Sequence, residues 1–233
     1  MKYMGSKRRL AKHIVPIIKS LRKDGQTYVE PFVGGGNLIE KIEGNRIGSD
    51  INPDCIQALC DIRDNVEQLP RTNAEFTEED YKKLRVSHDY RFRSYAGFAF
   101  SWGGKWLGGW GRDSKNSRDY VAEAYRLARS QSPLLQGVTF LCCSYDDLVV
   151  PDESFIYCDP PYKGTTAYRH RFDSNKFFDW CVSMCDKGHT VLVSEYSAPD
   201  LRFMCVWEGP IANGLTKRNG VKRVACERLF LVQ

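Results

Sequence analysis

Six consecutive residues, Tyr157-Cys158-Asp159-Pro160-Pro161-Tyr162, combine side chains that an ordinary turn has little use for. They close an apolar run from Phe155 to Cys158 that reads as a buried strand. Two successive prolines remove two backbone donors and stiffen the turn, leaving carbonyl oxygens free to accept. The exocyclic amine of adenine is a poor nucleophile because its lone pair is delocalised into the ring, and it offers two N–H donors. The Asp159 carboxylate and the Pro160 carbonyl can accept both, which favours a pyramidal nitrogen whose lone pair points at an electrophile. Pro161 keeps the turn rigid, and Tyr162 supplies a stacking face for a base drawn out of a helix.

A second cluster lies near the start, Glu30-Pro31-Phe32-Val33-Gly34-Gly35-Gly36-Asn37, a glycine turn between a strand and a helix. Glycine lets the backbone approach a ligand closely and adopt positive φ. The dinucleotide fingerprint G-x-G-x-x-G fails here, because its third glycine would fall at Ile39. Asp50 ends the next strand. An acid at that edge of an open α/β sheet can accept both ribose hydroxyls of a nucleoside. Its structural alternative is to cap the helix that begins at Asn52-Pro53.

The elements that must position these groups follow from periodicity. Lys7 to Leu21 has helical spacing, with Pro16 set to kink or shorten it. Gln26 to Phe32, with Thr27, Tyr28 and Val29, and Arg46 to Ser49 read as strands, Asn37 to Glu43 as a short helix, and Asn52-Pro53 opens another. Strands resume at Val138 to Cys143, Phe155 to Cys158 and Thr190 to Ser194, with a helix over Ser174 to Cys185. Arg202 to Trp207 and Val224 to Leu231 form a terminal antiparallel hairpin. Such alternation predicts an α/β fold with a mainly parallel, Rossmann-like sheet. Between them, residues 64–136 show helical pieces at Glu78 to Val86 and Arg118 to Gln131. A Gly/Trp-rich stretch, Gly97 to Gly111, lies between those two pieces. This segment reads as an inserted, mostly helical domain, leaving 1–63 and 137–233 as the catalytic body.

Charge follows the same division. The chain of 233 residues carries a formal +5. Between Tyr81 and Arg118 there are nine Lys+Arg against two acids, +7, which leaves −2 for the rest. Nine aromatics share that stretch. Cations neutralise phosphates and aromatic faces stack on bases, so the insertion is the expected nucleic-acid surface. Arg91, Arg93, Lys105 and Arg112 are the candidates for phosphate or base-edge contacts. Lys163 and Arg169 follow the Asp-Pro-Pro-Tyr turn and can close over an extruded base. Trp102, Trp106 and Trp110 suit a glycine-framed hairpin with one or two tryptophans in its core.

With these motifs in place, the chain resembles the Dam-type, or D12-class, DNA adenine N6-methyltransferases. Tyr3-Met4-Gly5-Ser6-Lys7 is similar to that family's N-terminal aromatic-x-G-G-K, with Ser6 in place of the second glycine. The resemblance implies cofactor contacts for Tyr3 and Lys7, for Phe32, Gly34 and Gly36 of the glycine turn, and for Asp50. It implies that Asp159, Pro160, Pro161 and Tyr162 form the catalytic tetrad, Asp159 also standing near the methionine part of the cofactor. Ser144-Tyr145-Asp146 falls where the family carries an acid and an aromatic beside the cofactor's adenine, so Tyr145 or its backbone is the expected contact. The implied fold is a Rossmann-like S-adenosylmethionine-dependent methyltransferase sheet with an inserted target-recognition domain. The implied reaction moves a methyl group from S-adenosyl-L-methionine to N6 of adenine in double-stranded DNA, with base flipping, and releases S-adenosyl-L-homocysteine. No metal is required, because the sulfonium is itself the electrophile.

Other classes fit less well. His13, His88, His170 and His189 lack metal spacing, and Cys55-x4-Cys60 and Cys181-x3-Cys185 are poor zinc signatures. No apolar run approaches a bilayer-spanning 18 residues, and the polar, basic Met1 to Leu10 argues against a signal peptide. Nine scattered cysteines suit a reducing cytoplasm, bacterial or that of a phage-infected host. No obligate protein partner is implied, and a monomer or weak dimer suits an orphan enzyme of a phage or bacterium. Two rivals stay open: an N4-cytosine methyltransferase, and a catalytically idle DNA-binding relative.

Overall fold

The computed structural model describes residues 1–113, 117–162, 172–197, 199–216 and 222–233. Five strands run parallel: Tyr28–Glu30 (β1), Arg46–Asp50 (β2), Val138–Cys142 (β3), Phe155–Cys158 (β4) and Thr190–Glu195 (β5). Phe203–Thr216 (β6) and Lys222–Val232 (β7) add the antiparallel hairpin, giving the order β3-β2-β1-β4-β5-β7-β6. Every residue of β4 is buried, as befits a central parallel strand covered on both faces. The chain leaves β1 toward β2 and β3, then returns through β4 toward β5 on the other side. The loops after β1 and β4 therefore part in opposite directions, and an α/β sheet opens its ligand crevice at such a switch point.

Local chemistry sets the helices. Ala11–Leu21 (α1) buries Ala11, Ile14 and Ile18 and runs straight through Pro16, which lies on its exposed face. Pro53–Asn65 (α2) is capped by Asn52, whose side chain accepts from Asp54 N at 3.0 Å. Asp173 caps Ser174–Asp186 (α6) in the same way. The helix expected over Asn37 to Glu43 is only a 3-10 turn, Ile39–Lys41, because the three glycines occupy the start of that short link.

The β2-to-β3 crossover contains α2, Glu78–Lys83 (α3), Arg93–Ala99 (α4) and Tyr120–Leu135 (α5). Periodicity did not announce α4: Ser94 to Ala99 are all buried, so no polar stripe marks the helix. Both α4 and α5 pack on α2, and Tyr95, Phe98, Val121 and Leu135 share one apolar core with Ile39, Leu59 and Ile62. The glycine-rich stretch forms a hairpin-like loop, bridged at Ser101 and Trp110. Trp106 packs on Phe98 with ring centroids 4.8 Å apart and Trp110 on Tyr81 at 5.6 Å, while Trp102 is exposed. This loop reaches the N-terminal motif: a Cβ on Gly104 would lie 2.6 Å from Tyr3 N, so only glycine permits the approach. From α5, buried Gln131 donates through Nε2 to the carbonyls of Gly35 at 3.0 Å and Gly36 at 3.3 Å, tying the crossover to the glycine turn.

Candidate active site

The carboxyl ends of the strands deliver acids to one edge: Glu30 from β1, Asp50 from β2, Asp159 just after β4, Glu195 from β5. Glu227 joins them from the antiparallel β7. Lys7, brought in by the N-terminal segment, faces two of them. Its Nζ lies 2.9 Å from Asp159 Oδ1 and 3.0 Å from Glu227 Oε1. The Tyr162 hydroxyl bonds to Glu227 Oε1 and accepts from Lys7, whose ammonium also sits 4.5 Å from the Tyr162 ring centre. Tyr196 meets Tyr162 edge to face at 4.6 Å. Burial works against the Lys7 charge, but the two carboxylates more than offset it, so its pKa is raised. One ammonium charge faces two carboxylates, so the charges do not balance. Glu227, 1% exposed and with Oε2 lacking a hydrogen-bond partner among the described residues, bears the cost: burial holds its pKa above the ordinary carboxylate value.

Glu227 carried no motif signal. It lies 220 residues from Lys7 by number, and only the pairing of β5 with β7 sets it beside the Asp-Pro-Pro-Tyr turn. Glu30 is a further buried acid, 3% exposed, accepting from Tyr28 Oη at 2.7 Å. Burial, reinforced by the Asp159 charge, pushes its pKa up to about 8. From the ordinary carboxylate value to about 8 the folded protein therefore holds a proton that the unfolded chain has lost. Stability falls through that window as pH rises, by about 1.4 kcal/mol per unit at most. Glu30→Gln is expected to flatten this slope. Thermal unfolding at pH 5 and pH 8 checks it: equal slopes in variant and wild type would contradict the assignment.

On the cofactor side, Gly34 adopts φ +47°, and a Cβ there would meet the Tyr3 ring at 2.9 Å, so the turn and the N-terminal aromatic touch because Gly34 has no side chain. Asp50 takes Gly34 N at 3.1 Å on Oδ2 and Asn52 N at 3.0 Å on Oδ1. The helix cap is thus Asn52, and Asp50 instead clasps the glycine turn to the end of β2. Phe32 stacks on Tyr145 at 5.6 Å, and Phe172 and Phe177 stand edge-on to Phe32 at 5.9 and 5.5 Å. These four rings pack against one another as an aromatic box, with Tyr145 and Phe177 buried. Phe172 and Phe177 had no signal of their own beyond apolar character. Beside Tyr145, Asp146 is held by Ser144 and by Lys176, the latter at 2.5 Å. The strand ends thus gather acids at one edge, with both Asp50 oxygens engaged by the backbone of Gly34 and Asn52. Among the described residues no three His, Cys, Asp or Glu side chains gather as metal ligands would.

The cations of the crossover make contacts of their own. Arg91 donates to Gln68 Oε1 at 2.6 Å and Asn65 Oδ1 at 3.1 Å, and Arg93 to the Leu84 carbonyl, with Asp54 3.6 Å away. Arg112 pairs with Glu78 at 2.6 Å, and Lys105 is exposed. Lys163 and Arg169 fall outside the described residues.

The sheet order is that of a Rossmann-like α/β fold continued by an antiparallel hairpin. The model of the D12 class N6 adenine-specific DNA methyltransferase family matches residues 3–101 and 104–199, and the chain belongs to that family of adenine-specific DNA methyltransferases. It is similar to the type II methyltransferase M.MjaIII of Methanocaldococcus jannaschii, 29% identical over 199 residues that cover 70% of this chain and 68% of the relative. Among solved structures, a precorrin 8W decarboxylase of Methanobacterium thermoautotrophicum aligns with a TM-score of 0.44 and 11% identity, over 97% of this chain and 89% of that one. The methyltransferase-like SMU.472, complexed with SAH, aligns with a TM-score of 0.39 and 10% identity, over 97% of this chain and 52% of its own.

Proposed function

We propose that the protein methylates N6 of adenine in double-stranded DNA, using S-adenosyl-L-methionine as donor and extruding the target base into the crevice beside Asp159. The observation that carries this reading is the Lys7–Asp159 contact of 2.9 Å, which joins the N-terminal motif to the Asp-Pro-Pro-Tyr turn at the β1/β4 switch point. When bound, S-adenosylmethionine supplies an electrophilic methyl carbon: the N6–C bond forms as the C–S electron pair returns to sulfur, and S-adenosylhomocysteine leaves. Lys7 engages Asp159 Oδ1 and so fixes the carboxylate in one orientation, with Oδ2 directed to one N6 hydrogen. The Pro160 carbonyl accepts the other, and Pro161 holds the turn rigid. Tyr162, anchored by Glu227, stacks on the base. The methylated amine becomes strongly acidic and gives its proton to Asp159 and then to water.

Tyr3, Phe32, Gly34, Gly36, Asp50 and Tyr145 hold the cofactor in this reading, Asp50 through the ribose and the aromatic box through adenine. Residues 64–136 carry target recognition, with Arg91, Arg93, Lys105 and Arg112 as its DNA contacts. Lys163 and Arg169 close over the base. Incubation with labelled S-adenosylmethionine and unmodified DNA, followed by digestion to nucleosides, is the test. Label in N6-methyladenine is the expected result. Label in N4-methylcytosine, or no transfer by a protein that still binds DNA, would overturn it in favour of the cytosine enzyme or the idle relative.

A further inference from the structure

The −2 assigned to the chain outside residues 81–118 conceals a second concentration of charge. The first 23 residues contain eight Lys+Arg and no Asp or Glu, so they carry +8, more than the +7 of that segment, and the remaining residues carry −10. The two basic regions differ in what surrounds them. In the crossover, acids answer many of the cations: Arg112 pairs with Glu78, Arg118 with Glu123 at 2.7 Å, Lys83 with Asp80 at 3.0 Å, and Lys82 with Glu78 and Glu79 at 3.4 and 3.6 Å, whereas Arg85 and Arg91 bond to neutral oxygens and Lys105 is exposed. Arg8, Arg9, Lys12 and Lys19 are exposed, and their side chains make no ion pair or hydrogen bond among the described residues. Arg8 shares a cleft with Glu40 and Lys41, and none of the four cations is in a direct ion pair among the described residues.

Their place in the fold is equally specific. Lys7 begins the 3-10 turn Lys7–Arg9 with its ammonium on Asp159 and Glu227, Arg8 and Arg9 complete that turn, and Lys12 lies in the first turn of α1. At about 1.5 Å of rise per helical residue, these cations lie within roughly 10 Å of Lys7 along the chain. His13 stacks on Trp207 of β6 with ring centroids 5.4 Å apart, so the start of α1 is fixed against the hairpin. An extruded nucleotide turns about its backbone, and its flanking phosphates stay at the mouth of the pocket that receives the base. Duplex DNA presents one phosphate charge per about 1.7 Å of axis, a density that unpaired Arg and Lys side chains complement.

We propose that Arg8, Arg9 and Lys12 form a second DNA-backbone surface, which grips the phosphates beside the extruded adenine while the crossover contacts the duplex elsewhere. The proposal rests on the DNA-methylating reading of the same site. Its test uses the full chain and a duplex oligonucleotide carrying adenine targets, with affinity measured between 50 and 200 mM salt. The R8Q/R9Q/K12Q variant is expected to bind the duplex at least about tenfold more weakly at 100 mM salt. Its slope of log K against log salt should fall by about 0.9 for each phosphate that the variant no longer neutralises, so by about 2 to 3 in all. Charge reversal, R8E/R9E/K12E, should weaken binding further, while cofactor affinity and melting temperature stay at wild-type values. A folded Gln variant with an unchanged salt slope would overturn the surface. That result leaves the methylation reading intact if the wild type still labels adenine. A wild type that binds duplex with the steep slope but labels no adenine overturns the reading and leaves the surface standing.

Discussion

Asp159→Ala is expected to lower methyl transfer by roughly a thousandfold or more while the fold survives. The variant loses the acceptor that orients N6, an interaction realised only as the nitrogen attacks, and removal of one such preorganised group costs about 10² to 10³ in rate. Loss of the Lys7–Asp159 ion pair adds misplacement of the Asp-Pro-Pro-Tyr turn. Lys7 keeps a partner nonetheless, because Glu227 remains at 3.0 Å, so its charge is not stranded and stability changes by only about 1 kcal/mol. The kinetic signature is a fall in kcat with little change in the KM for DNA, since the lost interaction is made as the nitrogen attacks. Asp159→Asn keeps the shape and one carbonyl acceptor, and should fall between the two. Single-turnover methylation combined with thermal unfolding checks the pair. Wild-type rates in the alanine variant would remove Asp159 from the mechanism.

Lys7→Met has the second large effect, and it reaches stability as well as activity. At neutral pH the variant leaves Asp159 and Glu227 facing each other without a cation, Glu227 with 1% exposure. Breaking a buried pair by removing one partner costs about 3–5 kcal/mol, and proton uptake by Glu227 limits the loss toward the lower end. The sign with pH follows from linkage. Burial already raises Glu227 above its unfolded value, and loss of Lys7 raises it further. Between the unfolded and folded pKa values the native state binds the extra proton, so stability falls as pH rises. The deficit relative to wild type should therefore be small near pH 4 and grow toward pH 8. Methyl transfer should drop together with stability at neutral pH. A constant deficit across that range would mean that Lys7 acts through packing alone.

How much of this was legible beforehand depends on the length scale of each interaction. The strand-exit turn at Asp159, the glycine turn at Gly34 and the acid at Asp50 are local: residue type and spacing over six to twenty positions are enough to mark them. The parallel strands and terminal hairpin are likewise written in short apolar runs. Glu227 is different. A glutamate on a strand has no local signature, and it becomes part of the site only when β7 pairs antiparallel with β5 and carries it to Lys7. Phe172 and Phe177 join Phe32 and Tyr145 in the same way, through the packing of α6 on the sheet. The burial of all of α4 from Ser94 to Ala99 erased the polar stripe that would have revealed a helix.

Charge shows the limit most clearly. Composition alone places positive residues in two regions, +7 over 81–118 and +8 over 1–23. Composition cannot say which cations are already paired. Only the tertiary structure sets Glu78, Glu123 and Asp80 against Arg112, Arg118 and Lys83 and leaves Arg8, Arg9 and Lys12 exposed. The physical reason is range. Propensity, turns and motifs act between near neighbours in the chain, whereas the free energy of an ion depends on burial and on partners far away in the chain, as Glu227 is from Lys7. The sequence by itself determined the local pieces of this protein: an Asp-Pro-Pro-Tyr strand exit, a glycine turn and a surplus of cations. The folded chain decided which acids surround Lys7 and which cations meet an acid.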